Sequence, residues 1–273
     1  MASSMQNQPQ NHSHKIFIAH TLPKLEEDPR LLGCAVGGSW LTNEIDEHSD
    51  LDLVVVVADE HYPKVLEEMD SMTLGLGTRI AGFRGEHVGV PNMMICLYED
   101  PLLHVDLKFV SLSMFAERIE NPEVLWERSG LLTKMIEENK PQIPHLNMQW
   151  LEDRFWTWIH YGAARVARGE IFEAIDTLAY LRSKVLGPML CARHHRIPRG
   201  VRRLEKYCPE EAKLLETTIA PHDAKKCAEA LRNAARIYVE LRENLDKYTD
   251  LHINRRAEMV AMKFLHTVSD SLK

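Results

Sequence analysis

The sequence is poor in the features that mark specialised protein classes. It has five cysteines in 273 residues, an odd number with no Cys-x-x-Cys pair. We therefore expect reduced, partly buried thiols rather than a disulfide framework or a zinc site built from cysteines. No apolar run approaches the roughly 18 residues that a membrane-spanning helix needs. The N-terminal residues also lack the apolar core of a signal peptide. These absences predict a cytoplasmic protein with no membrane partner.

An excess of positive charge is also lacking. The 33 Lys and Arg residues are outnumbered by 40 Asp and Glu residues, which gives a formal net charge of −7. Binding to long nucleic acid needs many phosphate contacts from basic side chains, so we do not expect it. A small cationic substrate is compatible with this charge. The apolar and charged fractions, 45% and 27%, are ordinary for a globular protein.

The first half of the chain alternates between strand and helix patterns. The valine-rich segment 51–58 favours a strand because β-branched side chains suit a sheet. The apolar run 31–36 ends at two glycines, which is typical of a buried strand. Further strands are predicted over 78–83, 93–98 and 102–110, and helices over 15–27 and 63–72. Together these elements predict a small mixed β-sheet flanked by helices.

The second half changes to long helical spacing from about Leu146. Two prolines, Pro141 and Pro144, interrupt the pattern just before this change. The predicted fold class is therefore α+β: a mixed-sheet domain over residues 15–142 followed by an all-α helical bundle over 143–273. The polar residues 1–14 are predicted to be a disordered tail.

The motif that carries chemistry begins with Gly37-Gly38-Ser39 and continues, after ten residues, with Asp50-Leu51-Asp52. Two aspartates at positions i and i+2 of a strand point to the same face of the sheet. Their carboxylates repel each other unless a cation lies between them, and Mg²⁺ prefers such oxygen ligands. The spacing therefore predicts a magnesium site at the start of this strand.

Two further segments complete the predicted site. The Gly-Gly-Ser turn follows a strand and should open a helix, where glycines let the backbone approach a phosphate and the Ser39 hydroxyl adds a hydrogen bond. Asp106 is a lone acid within the apolar strand 102–110. It can supply a third carboxylate, either as a metal ligand or as the group that deprotonates an acceptor hydroxyl.

This order of motifs resembles the nucleotidyltransferase superfamily that includes DNA polymerase beta. The match covers roughly residues 30–110. It implies that residues 15–142 are a catalytic domain that uses Mg²⁺, or alternatively Mn²⁺, with ATP or another nucleoside triphosphate as co-substrate. The resemblance assigns catalytic and metal-binding roles to Asp50, Asp52 and Asp106. The nucleotide-binding residues that it implies in this domain are Gly38, Ser39 and Ser49.

The sequence around Asp50 and Asp52, together with the helices predicted after it, is most similar to the small-molecule branch of this superfamily. That branch contains the aminoglycoside and lincosamide nucleotidyltransferases, so the resemblance implies a small-molecule acceptor and a role in antibiotic resistance. Similar enzymes bring basic groups from the helical domain to the triphosphate. Tyr180 and Lys184 are candidates because they are four residues apart on a predicted helix, with a solvated face as the alternative reading.

Other signals in the helical half are weaker. Adjacent His194 and His195 rarely face one ion, and Pro198 favours a helix end there. Several acids are candidates for an acceptor-activating base, and the sequence does not choose among them. These acids are Glu152, Asp153, Glu170, Glu173 and Asp176.

Two alternatives remain open at the level of the sequence. In the first, the same nucleotidyl transfer acts on a protein hydroxyl, as in toxin–antitoxin pairs, or on an RNA end. The domain can also be a non-catalytic nucleotide-binding module, although a scaffold gains nothing from three converging acids. Oligomeric state, including a homodimer, is left open.

Overall fold

The computed structural model describes residues 12–244 and 251–272. These residues divide into two compact units: the first ends at Ile143 and the second begins at Pro144. The first unit is a six-stranded sheet with helices, and the second is helical. The predicted α+β fold class is confirmed.

The sheet of the first unit is mixed, in the order β3-β4-β5-β2-β1-β6. Strands β2 and β5 are parallel neighbours, whereas every other adjacent pair is antiparallel. Parallel pairing brings the first residues of β2 and β5 to the same end of the sheet. The strands are β1 (Leu31–Val36), β2 (Leu51–Val57), β3 (Thr78–Gly85), β4 (Val90–Glu99), β5 (Leu103–Ser111) and β6 (Glu123–Glu127).

Helices cover both faces of this sheet. They are α1 (His12–Glu26), α2 (Tyr62–Gly75), α3 (Leu112–Phe115) and α4 (Leu131–Glu138). Leu51, Leu53 and Val55 of β2 pack in one core with α1 and α2. Val54 and Val56 pack in the other core, with α3 and α4. Side chains alternate along a strand, so Asp52 belongs to the same face as Val54, one position before that core begins.

The N-terminal helix extends into the predicted tail. Helix α1 begins at His12, and His14 is buried, with its Nε2 donating to the Ser49 carbonyl oxygen at 2.8 Å. The tail assigned to residues 1–14 is therefore too long by at least three residues, because this contact orders them. Residues 1–11 of the predicted tail lie outside the described residues.

The second unit is built from long and short helices. They are α5 (Met148–Ala167), α6 (Ile171–Leu181), α7 (Gly187–Arg193), α8 (Leu204–Tyr207), α9 (Pro209–Glu216), α10 (Ala224–Glu243) and α11 (Arg255–Ser271). Their apolar faces share one core. Inside it the Glu152 carboxylate accepts hydrogen bonds from Tyr238 Oη at 2.6 Å and from Arg242 at 3.1 Å. Such hydrogen bonds offset the desolvation cost of burying a charge pair.

None of the helices in the described ranges combines the length and the apolar character needed to cross a membrane. All five cysteines are buried, and none forms a disulfide.

Candidate active site

Three carboxylates converge at the end of the sheet where β2 and β5 begin. One oxygen from each of Asp50, Asp52 and Asp106 lies within 4.8 Å of the others. The cause is the strand register: Asp52 on β2 is the direct partner of Asp106 on parallel β5. Asp50 precedes β2 by one residue and shares the face of Asp52. The juxtaposition of these three predicted residues is thus a direct result of parallel pairing.

The electrostatics of Asp106 reflect this crowding. Burial raises the pKa of its carboxyl, and the neighbouring Asp50 charge raises it further. His104 acts in the opposite direction: its Nε2 lies 3.1 Å from Asp106 Oδ1, and its proximity lowers the pKa. The net shift is upward. A bound cation would lower the pKa of the Asp106 carboxyl, because an opposite charge stabilises the ionised form.

The glycine of the Gly-Gly-Ser turn touches this acidic cluster. Gly38 has a left-handed φ of +65°, and a Cβ placed on it would lie 1.9 Å from Asp52 Oδ2. Gly37 is extended, and its amide donates to the Asp52 carbonyl oxygen at 3.0 Å. The turn and the acidic strand are therefore held together by a backbone hydrogen bond and by van der Waals contact.

The prediction of a helix after the Gly-Gly-Ser turn is wrong. Only one 3₁₀ turn forms, Gly38–Trp40. The chain then bends back, with the Glu44 amide donating to the Ser39 carbonyl oxygen and Asn43 adopting a φ of 54°. Left-handed geometry at Asn43 ends any helix, because L-residues propagate only the right-handed form. The turn therefore does not present the N-terminus of an α-helix to a phosphate.

Ser39 carries an unusual hydroxyl group. The residue is 6% exposed, and its Oγ has no hydrogen-bond partner among residues 12–244 and 251–272. A buried hydroxyl without a partner costs free energy, of the order of 1–3 kcal/mol. Such a group next to three acids and a glycine turn is suited to a ligand oxygen, as the sequence predicts for a phosphate.

Two side chains at the site were missed by the sequence interpretation. Glu120, from the loop after α3, accepts a hydrogen bond from the Gly38 amide at 3.1 Å. It thereby occupies a backbone donor that was assigned to phosphate. His104 was also missed, although its spacing of two residues from Asp106 carries the same signal as Asp50 and Asp52. No local pattern marks Glu120, because it reaches Gly38 from 82 residues away.

Ser49 is engaged in a local turn. Its Oγ accepts from the Asp46 amide at 3.0 Å and lies 3.0 Å from Asp46 Oδ1. Its nucleotide-binding role stays a prediction.

The helical unit holds the other predicted nucleotide contacts. Tyr180 and Lys184 are both exposed, and Tyr180 packs edge-on against Trp158 at a centroid distance of 5.2 Å. The helix contains a π turn, Arg182–Leu186, in which the Gly187 amide donates to the Arg182 carbonyl oxygen five residues earlier. The next residue, Pro188, has no N–H group to donate. Lys184 lines an open cavity of about 580 Å³ together with Ser183, Pro188, Pro198, Arg199, Gly200, Val201 and Arg202. The roles of Tyr180 and Lys184 stay predictions.

Some candidate bases in this unit already have structural partners. Glu152 is bound to Arg242 and Tyr238 in the core. Glu170 pairs with Arg165 and Arg168. These two carboxylates are thus committed to the architecture of the helical unit.

No protein-family model matches this sequence, and no curated protein matches it either. Among solved structures, the chain is similar to the following three proteins. An aminoglycoside 6-adenyltransferase from Bacillus subtilis aligns with a TM-score of 0.43 and 16% identity, over 94% of this chain and 97% of that chain. A nucleotidyltransferase-like protein from Exiguobacterium sibiricum gives the same two values over 93% and 88%. A STING-associated c-di-GMP synthase from Capnocytophaga granulosa has a TM-score of 0.31 and 14% identity, over 96% and 81%.

Proposed function

We propose that this chain is a magnesium-dependent nucleotidyltransferase that moves a nucleoside monophosphate, AMP, from ATP to a hydroxyl group of a small molecule and releases pyrophosphate. The observation that carries the proposal is the convergence of Asp50, Asp52 and Asp106 within 4.8 Å, directly against the Gly38 turn. Metal-dependent phosphoryl transfer needs this combination of clustered carboxylates and a place for phosphate oxygens.

The donor set suits the cation. Three carboxylates offer only hard oxygen ligands, which Mg²⁺ and Mn²⁺ prefer. The raised pKa of Asp106 supports the same assignment, since burial and a like charge nearby make the apo cluster unfavourable. When bound there, Mg²⁺ supplies neutralisation of triphosphate charge and polarisation of the α-phosphoryl group.

Gly38 and Ser39 are proposed to receive the β- and γ-phosphates. The absence of a side chain at Gly38 allows an oxygen to approach the backbone closely. The buried Ser39 hydroxyl, which has no partner in the described parts of the chain, donates to a phosphate oxygen. Glu120 must release the Gly38 amide for phosphate to bind there, because two anions compete for one donor.

The transfer itself is a displacement at the α-phosphorus. The acceptor oxygen forms a bond to this phosphorus while the bond to the β-phosphate oxygen breaks, and pyrophosphate leaves with that oxygen. The hydroxyl proton passes to a carboxylate oxygen of Asp106, the candidate base among the three carboxylates. His104, hydrogen-bonded to the same carboxylate, orients it.

The acceptor class is proposed from the sequence. The segment around Asp50 and Asp52 resembles the aminoglycoside and lincosamide enzymes, and the net charge of −7 favours a cationic acceptor over long nucleic acid. An aminoglycoside- or lincosamide-type antibiotic is the leading acceptor, which would make the chain a resistance enzyme acting in the cytoplasm. Tyr180 and Lys184 stay proposed nucleotide-binding residues.

The direct test is pyrophosphate release from ATP, GTP, CTP or UTP with Mg²⁺ and a panel of aminoglycosides and lincosamides. The wild type should turn over with one acceptor class, and EDTA should abolish the signal. Asp52→Asn should lose at least about 1,000-fold in turnover while keeping its circular dichroism spectrum. Glu137→Gln, which removes an exposed carboxylate on α4, should behave as wild type.

Other outcomes would identify the alternatives. Label transfer to RNA or to protein, without antibiotic turnover, would replace the small-molecule acceptor. ATP binding by calorimetry without pyrophosphate release under any condition would establish a binding module instead. Normal nucleotide transfer by Asp52→Asn would contradict the proposed mechanism as a whole.

A further inference from the structure

A second group of metal-ligating side chains lies in the helical unit, where α7 ends and α9 begins. His194 is the residue after α7, Cys208 directly precedes α9, and Glu211 is in the first turn of α9. One donor atom from each lies within 4.8 Å of the others. His194 Nε2 is 3.0 Å from Glu211 Oε1. None of these residues takes part in the proposed nucleotidyl transfer.

We propose that His194, Cys208 and Glu211 form a zinc-binding site. The three donors are an imidazole nitrogen, a thiolate sulfur and a carboxylate oxygen, all of which are ordinary zinc ligands. Mg²⁺ is disfavoured here because it selects oxygen donors. A sulfur ligand therefore separates this site chemically from the three carboxylates of the first unit.

The geometry is close to what zinc requires. Bond lengths of 2.0–2.3 Å put tetrahedral ligand atoms about 3.5 Å apart, so small side-chain rotations within a 4.8 Å cluster are sufficient. Cys208 and Glu211 are three residues apart, a spacing that brings both side chains to one turn, as in the Cys-x-x-Cys half of many zinc sites. His194 comes from a separate segment, so the ion would join the end of α7 to the start of α9.

Backbone hydrogen bonds fix both segments. The His194 amide donates to Leu190 O at 3.1 Å, and the Cys208 amide donates to Leu204 O at 2.8 Å. Cys208 is buried, whereas the His194 side chain is 34% exposed and the Glu211 side chain 22% exposed. The sulfur thus lies on the protein side of the site and the other two ligands lie nearer solvent. Water is the natural fourth ligand on that open side.

Binding replaces the thiol proton of Cys208, which is released to solvent, with a sulfur–zinc bond. No change of oxidation state is involved. The ion then closes the connection between α7 and α9 and stabilises the folded helical unit, because the unfolded chain does not hold the three ligands together.

The sequence interpretation set aside a metal site at the adjacent His194 and His195 and favoured a helix end there, so the present proposal departs from it. Only His194 belongs to the cluster. It also set aside a zinc site built from cysteines, and a single cysteine contributes here. The mixed donor set was not recognisable in the sequence because residues 195–207 separate His194 from Cys208.

The test uses the full chain, stripped with a chelator and titrated with Co²⁺ in excess Mg²⁺, which keeps the carboxylate cluster of the first unit occupied. A thiolate-to-cobalt charge-transfer band that saturates at one ion per chain and is displaced by Zn²⁺ is the expected result. Zn²⁺ should also raise the melting temperature of the protein. The Asp52→Asn chain should give the same band, so failure of the proposed transferase activity would leave this result unaffected.

Three variants make the assignment specific. Cys208→Ser should abolish the band, and His194→Gln, at a partly exposed position, should weaken Co²⁺ and Zn²⁺ affinity by at least about tenfold. Cys227→Ser removes another buried cysteine of the same unit and should leave the band unchanged. Absence of the band from the wild type would overturn the proposal and leave only the hydrogen bond between His194 and Glu211. Unchanged affinity in His194→Gln would overturn it too, even if Cys208→Ser did not fold.

Discussion

Gly38 lies so close to Asp52 that a Cβ on the glycine would be 1.9 Å from the Asp52 Oδ2 atom. Two independent requirements for glycine therefore coincide at this position. The φ of +65° is strained for any L-residue with a side chain, and the space that a side chain would fill belongs to a carboxylate. The close approach fixes the distance between the proposed phosphate contacts and the proposed metal ligands.

Gly38→Ala should displace the Asp52 carboxylate and lower nucleotide transfer by at least about 100-fold, because small misplacements of reacting groups are this costly. The left-handed backbone should add a stability loss of about 1–2 kcal/mol. Initial rates of pyrophosphate release and chemical denaturation measure the two effects separately.

Gly89→Ala is the matched control for this substitution. Gly89 has a φ of +78°, and nothing lies within 4 Å of a Cβ placed there. This variant should show a similar backbone penalty and retain wild-type transfer. Equal activity losses in both variants would mean that backbone strain, and not the contact with Asp52, explains the effect of Gly38→Ala.

Glu120→Gln should improve binding of the nucleoside triphosphate. The glutamine can still accept the hydrogen bond from the Gly38 amide, which now goes to Glu120 Oε1 at 3.1 Å, but it carries no charge to repel phosphate. We expect the KM for ATP to fall several-fold while kcat changes little. Steady-state kinetics at low ionic strength provide the measurement, since charge repulsion is least screened there.

Glu123→Gln provides the comparison for Glu120. Glu123 is a neighbouring acid that accepts from Trp40 Nε1 at 2.8 Å and is not bound to Gly38. Its replacement should leave the KM for ATP nearly unchanged. A higher KM in Glu120→Gln would show instead that the carboxylate assists nucleotide binding.

The parts of the fold that depend on local pattern were predictable. The apolar run of β1, the valines of β2 and the acids at i and i+2 all carry short-range signals, and the described strands match them. β6 was missed because its residues are all only partly buried or exposed, so no alternation marks it. Glu120 and the zinc ligands were missed for a different reason. Their partners come from distant segments, and long-range packing leaves no periodicity in the chain.

Asp106→Asn should stabilise the apo protein near neutral pH. Burial and Asp50 raise the pKa of the Asp106 carboxyl, so its protonated form contributes stability at low pH that is lost as the pH rises through the folded pKa. The variant removes this ionisation. In EDTA at pH 7.5 its melting temperature should exceed that of the wild type by about 2–4 °C, which corresponds to about 1 kcal/mol.

Added Mg²⁺ should reverse this order. The cation should raise the melting temperature of the wild type more than that of Asp106→Asn, because the variant has lost one of three proposed ligands. Differential scanning fluorimetry with EDTA and with Mg²⁺ measures both effects. A lower melting temperature for Asp106→Asn in EDTA would contradict the inference that the ionised Asp106 carboxylate destabilises the apo protein.

Asp28 should give the first unit a pH dependence of the opposite sign. Its carboxylate accepts from Arg30 Nε at 2.9 Å, and Arg30 also donates to Glu68 on α2 at 2.7 Å. The hydrogen bonds and charge of Arg30 lower the pKa of Asp28 below its ordinary value of 3.8 against a smaller opposing effect of burial. A depressed pKa contributes stability that is fully present above the unfolded value and is lost as pH falls through the folded value. Asp28→Asn should therefore lose about 1 kcal/mol of unfolding free energy at pH 7, and the difference from wild type should shrink below about pH 4.

Urea denaturation from pH 7 to pH 3 tests the Asp28 prediction, with the exposed Glu67→Gln as the control. A difference that stays constant across this range would show that the asparagine acts through packing and not through the lost charge.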